Sequence, residues 1–156
     1  AISLEIVDGG VLENVSVSGI TVEGTEAPIF VRLGNRARGY YNGQVIGNVG
    51  IIRDVHIDNV IVRNAGATGC SVTGLPGHPV ENVRLSDILI CHKGGVKKTP
   101  VPADEKEKDY PEATMWDTLP AKGFFVRHAR NVVFDNVEIR TDTPDERPEY
   151  VREDAF

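Results

Sequence analysis

The chain has 156 residues and a formal charge of -6 at neutral pH. That length suits one domain with a continuous core, and the charge is of the wrong sign for gripping phosphates, so nucleic acid is not an expected partner. No apolar run nears the roughly 18 residues of a membrane span, and the opening AISLEIVDGG lacks the basic start and apolar centre of a signal peptide.

In chain order, the first expected strand is Ser3-Leu-Glu5, and Asp8 followed by Gly9-Gly10 reads as a turn, because Asp bonds its own backbone and Gly accepts left-handed geometry. Next comes Asn14-Val-Ser-Val-Ser-Gly-Ile-Thr-Val22, which aligns without gaps on Asp54 to Val62, Asn82 to Ile90 and Asn131 to Ile139. The shared pattern is Asn/Asp, Val, any, apolar, any, Gly/Asn/Asp, apolar, any, apolar. Period-two alternation that restarts after a small or polar residue predicts two short strands joined at a bend. Ahead of each copy stands a triplet with a central aliphatic residue: Ser3-Leu-Glu5, Phe30-Val-Arg32, Ser71-Val-Thr73 and Phe125-Val-Arg127. Such a unit cannot bury its apolar side alone and must stack on its neighbours. The expectation is an all-β fold, a right-handed single-stranded parallel β-helix of about four coils.

The intervals between copies are unequal, and the excess falls at about Arg36 to Gly50 and at 93–121, both expected as inserted loops. The second begins charged and proline-bearing, then turns apolar around Tyr110, Met115 and Trp116. After Arg140 the sequence becomes acidic, and 141–156 is expected to cap the last coil and shield its strand edges. At the other end no cap is visible, so self-association through the N-terminal end of the solenoid is expected. The Asn and Asp leading each copy suit hard cations, but bends and a stacked side-chain ladder account for them. No pair of histidines among His56, His78, His92 and His128 has metal-ligand spacing, and no cofactor is implied. Cys70 and Cys91 sit in apolar runs as small core residues, with a single bridge left open.

The strings ISLEIVDGGVLENVSVSGITV, APIFVRLGNRARG, GLPGHPVENVRLSDI and YPEATMWDTLPAKGFFVRHARNVVFDNV, in this order, resemble the pectin-degrading glycoside hydrolases of family 28, especially bacterial polygalacturonase-like members. The resemblance covers nearly the whole chain. It implies a pectin-lyase-like solenoid, secreted or periplasmic, that hydrolyses galacturonan or rhamnogalacturonan with inversion. Inversion requires two carboxyl groups roughly 6.5–9.5 Å apart. The family supplies them from an Asn-x-Asp stretch, an Asp-Asp pair and a Gly-His-Gly coil that precede an Arg-Ile-Lys coil. None of these elements occurs here, and Ser3, Leu4 and Glu5 fall at the Arg-Ile-Lys positions. The expectation is a C-terminal fragment without the catalytic coils, inactive alone.

The row Glu5, Arg32, Thr73 and Arg127 has two readings. It is either the floor of a substrate cleft, with Arg32 and Arg127 donating to sugar hydroxyls or carboxylates, or a rung-to-rung ion pair of Glu5 with Arg32. Arg36 and Arg38, in a Gly-rich loop with two tyrosines, suit an anionic sugar or simply a solvated surface. Trp116 either stacks on a pyranose ring or plugs its loop onto the body. Three functions stay open: a pectin-active hydrolase fragment, a non-catalytic carbohydrate-binding or structural module, and a hydrolase pairing Glu5 with Asp8 or Glu112.

Overall fold

The computed structural model describes all residues from Ala1 to Phe156. It contains no helix, and its eight strands are β1 (Ile2–Ile6), β2 (Val11–Glu23), β3 (Ile29–Leu33), β4 (Ile51–Ala65), β5 (Cys70–Thr73), β6 (Val80–Gly94), β7 (Phe124–Thr143) and β8 (Tyr150–Ala155). They join one sheet in the order β1-β3-β5-β7-β6-β4-β2, with β8 also on β7. Every strand pair is parallel. Strands thus pair with the strand two further along the chain, making a short ladder (β1, β3, β5) and a long one (β2, β4, β6). The two meet in β7, whose first residues pair with β5 and whose remainder pairs with β6.

Both alignments hold residue by residue. Leu4, Val31, Val72 and Val126 are successive partners in the short ladder, and Val15, Val55, Val83 and Val132 in the long one. All but Leu4 are β-branched valines, which fill a pleated, buried surface well, and they belong to or pack against one core that also holds Ile57, Leu85, Ile90 and Phe124. The long strands bend where the pattern places Asn, Asp or Gly. Asn14, Asp54, Asn82 and Asn131 have φ between 52° and 57°, as do Asn59, Asp87 and Asn136 at 53°. Asn and Asp tolerate this left-handed geometry better than other side chains. Their amides also bond across the rungs: Asn131 Nδ2 donates to Asn82 Oδ1 and Asn82 Nδ2 to Asp54 Oδ1, both at 2.9 Å.

The tail lies against the last rung as a strand of its own. Tyr150–Ala155 forms a further rung on Phe124–Ala129, with Arg127 opposite Glu153. Tyr150 and Phe124 both lie against Phe134, at 4.8 Å between ring centroids. An open backbone edge on β7 favours any extended segment that can bond to it.

The two cysteines are free, and burial pushes the Cys70 thiol up to about 12.

Candidate functional site

The face of the short ladder opposite the main core carries Ser3, Phe30, Ser71 and Phe125 on one line and Glu5, Arg32, Thr73 and Arg127 on the next, in register. The cleft-floor row therefore exists as a row. It is covered, however, by residues 102–119. Trp116 and Leu119 close on Phe125 as a second apolar cluster, with the Trp116 and Phe125 rings edge to face at 6.4 Å. Trp116 is 8% exposed and its indole Nε1 donates to Asp104 O at 3.0 Å, so in this structure it fastens its own loop.

Arg32 is 1% exposed. Its guanidinium donates to Glu105 O at 2.7 Å, Gly74 O at 3.2 Å and Thr73 Oγ1 at 3.4 Å, and stands 5.0 Å from the Trp116 ring centre. Main-chain carbonyls satisfy its donors but carry no full charge. Burial lowers its pKa to about 10, with nearby Glu105 acting in the opposite direction. The ion pair expected with Glu5 does not form, although the two are register partners. Glu5 instead accepts from the Ser3 hydroxyl.

Glu105 is the charged centre of the arrangement. Its Oε1 meets Arg127 Nη2 and lies 3.0 Å from His128 Nε2, while His128 Nδ1 lies 2.6 Å from Asp154 Oδ2. Arg127 also donates to Pro102 O at 2.8 Å and pairs with Glu153 at 3.0 Å. His128 sits at a left-handed bend, φ 47°, which turns its ring out of the strand toward these carboxylates. Glu105 thereby ties the loop to β7, and Glu153 and Asp154 tie β8 to the same two residues, in surroundings where charge-assisted bonds are strong.

Beside Glu105 opens a cleft of about 600 Å³ between the loop and the body, lined by Asn35, Leu75, His78, Asp104, Glu105 and Glu107 among others. His78 stands at its edge because Leu75-Pro-Gly-His78 is a tight turn closed by reciprocal backbone bonds of 3.0 and 2.8 Å. Gly77 supplies φ 75° there. Gly74 leaves no room for a side chain, since a Cβ would lie 2.7 Å from His78 O.

Arg36 and Arg38 belong to a separate clasp. Asp8 accepts from Arg36 through both carboxylate oxygens, with Nε at 3.0 Å, and from the Arg38 backbone N–H at 2.8 Å. The Arg36 bond is the main cause that holds the Asp8 carboxyl below its usual range, which ill suits it to proton transfer near neutral pH. Arg36 lies 5.3 Å from the Tyr110 ring centre, and the Arg38 side chain is exposed. Glu112 is exposed on the loop. The structure brings Arg32, Arg127 and Trp116 under one loop and sets Arg36 and Arg38 in a neighbouring one, with Glu5 at the open end of the row. Sequence reasoning passed over Glu105 and gave His128, which follows Arg127 on the opposite parity, no role beyond an inward or bend position. Glu105 sits in the run ADEKEKD, where nothing distinguishes the one inward-turned carboxylate from its solvated neighbours.

No three His, Cys, Asp or Glu side chains converge as a metal cage. These features define an all-β protein of parallel ladders with a loop-covered basic row. No protein-family model, curated protein or solved structure matches the chain.

Proposed function

We propose that the chain is part of a right-handed parallel β-helix of the pectin-degrading glycoside hydrolase family 28 type, secreted or periplasmic, and that its own share is to bind pectic saccharide rather than to cleave it. The single observation that carries the reading is the in-register row Glu5, Arg32, Thr73 and Arg127. In a solenoid each coil contributes one residue to such a row, and a row facing away from the core is where an extended polysaccharide meets the protein. Pairing of β1 to β5 each with the strand two positions on supports the coil, and the asparagine ladder supports its bends. The family-like strings support the pectic substrate.

The share is binding because the Asn-x-Asp, Asp-Asp and Gly-His-Gly elements do not occur in the sequence. Asp8, the carboxylate closest in sequence to Glu5, is committed to Arg36. A purely structural module is the second reading, favoured by the covering of Arg32 and Trp116 by protein. Affinity electrophoresis through polygalacturonate and rhamnogalacturonan gels separates the two. Retardation in either gel without release of reducing ends is the expected result, and free migration in both supports the structural module. Turnover lost in Glu5→Gln with the fold intact would restore a hydrolase built on Glu5.

A further inference from the structure

We propose that Arg127 and His128, with Arg32 beside them, form a carboxylate-binding site that Glu105 fills from within, so that residues 97–110 act as an autoinhibitory strap whose release admits an acidic saccharide. The saccharide part rests on the pectic reading above; the strap does not.

The convergent cationic groups and ring donors belong to the body, on β3 and β7; Glu153 and Asp154 of β8 meet Arg127 and His128 from the body side, and Glu105 meets the same two residues from the loop. Two buried guanidiniums that repel one another need an anion nearby, and Glu105 is the loop's only carboxylate in direct contact with either. Its second oxygen is buried without a partner, so the fit is incomplete, and a ligand carboxylate bound through both oxygens would make more of the same donors.

The strap is also divided in a way that permits motion. Its second part, Pro111 to Ala121, is anchored by the buried Pro111, Trp116, Leu119 and Ala121. The first part buries no residue between 97 and 110 and holds on by polar contacts: Pro102 O and Glu105 O to the arginines, and Glu107 O to the Asn35 N–H at 2.6 Å. Gly94 and Gly95, at φ 70° and 83°, lie just before it as a hinge. An anion can replace such contacts one for one, which it could not do for buried apolar area. The open cleft beside Glu105 gives the approach.

Trp116 reports release, because it is the only tryptophan and its N–H bonds Asp104 O within the strap. Trigalacturonate titrated into the wild-type chain should red-shift its emission saturably. In Glu105→Gln the same shift should occur at about tenfold lower ligand, since the closed state no longer competes. A second variant with residues 98–109 replaced by Gly-Ser-Gly, which has no strap for Trp116 to report and is titrated by isothermal calorimetry, should bind as tightly as Glu105→Gln measured the same way, and circular dichroism verifies the fold of both. Affinity unchanged or weakened in both folded variants overturns the strap. Tightening toward citrate but not toward trigalacturonate upholds the strap and overturns the pectic reading.

Discussion

Arg32 and Trp116 come from segments 84 residues apart, yet the guanidinium lies 5.0 Å from the ring centre and both are buried. The contact joins the basic row to the loop that hides it. Truncating the indole removes the ring from the Phe125 cluster and leaves Asp104 O without its donor. Trp116→Ala should therefore cost about 3–5 kcal/mol in urea unfolding. Trp116→Phe keeps most of the packing and should cost about 1 kcal/mol, the lost hydrogen bond. Equal losses in the two variants would show that the indole N–H, and not ring burial, fastens the loop.

The bend at Asn82 tests the ladder. Its side chain accepts from Asn131 and donates to Asp54, and its backbone is at φ 55°. Asn82→Ala removes both bonds and places a Cβ without polar compensation in the left-handed region, for a loss of about 2 kcal/mol. Asn82→Gly loses the same bonds but relieves the backbone, and should be the milder change by about 1 kcal/mol. If the alanine variant is the more stable, left-handed strain is not what the asparagines resolve.

What was legible in the sequence follows from period. Val15, Val55, Val83 and Val132 repeat at fixed offsets from Asn or Asp, and a stacked strand must repeat that way, so their register could be read directly. The partnership of Glu5 with Arg32 was legible as register but not as an ion pair. What decides the Arg32 side chain is the loop above it, and ADEKEKD carries no period to say which side turns inward. The same limit hid β8. Tyr150 to Ala155 is acidic, and its strand state comes from the open edge of β7 rather than from its own alternation.

Acid should weaken the fold through two buried groups, in separate windows. His92 is fully buried, burial is the main cause that lowers its pKa, and Nδ1 lies 3.0 Å from Gly66 O, as a donor to a carbonyl would. The unfolded chain binds the extra proton first, so this contribution is complete above about pH 6.5 and falls as the pH drops below it. For Asp145, burial alone would raise the pKa, but the side-chain and backbone bonds from Arg147 outweigh it and lower it. Its contribution is present above about pH 3.9 and is lost as pH falls through the lower folded value. His92→Gln should flatten the melting-temperature slope between neutral pH and pH 5 or so while leaving the steeper loss at lower pH. An unchanged slope in that variant would assign the first window elsewhere.

The β1–β2 end should drive association. β2 pairs with β4 on one side only, which leaves a row of backbone N–H and C=O groups open to another strand. Behind that edge Leu12, Val15, Val17, Ile20 and Val22 pack on the core yet remain partly exposed, whereas their partners Ile52, Val55, Ile57, Val60 and Val62 one rung in are at most 2% exposed. A second copy laid on this edge satisfies the backbone and removes apolar area from water together, a combination that neither contact provides alone. Sedimentation should show self-association that grows with concentration. Val17→Lys should suppress it, because a charge on that half-buried face would have to be desolvated in the contact, whereas Val17→Ile should leave it intact. Loss of association in both variants with the fold retained, or persistence in both, places the contact on a different surface.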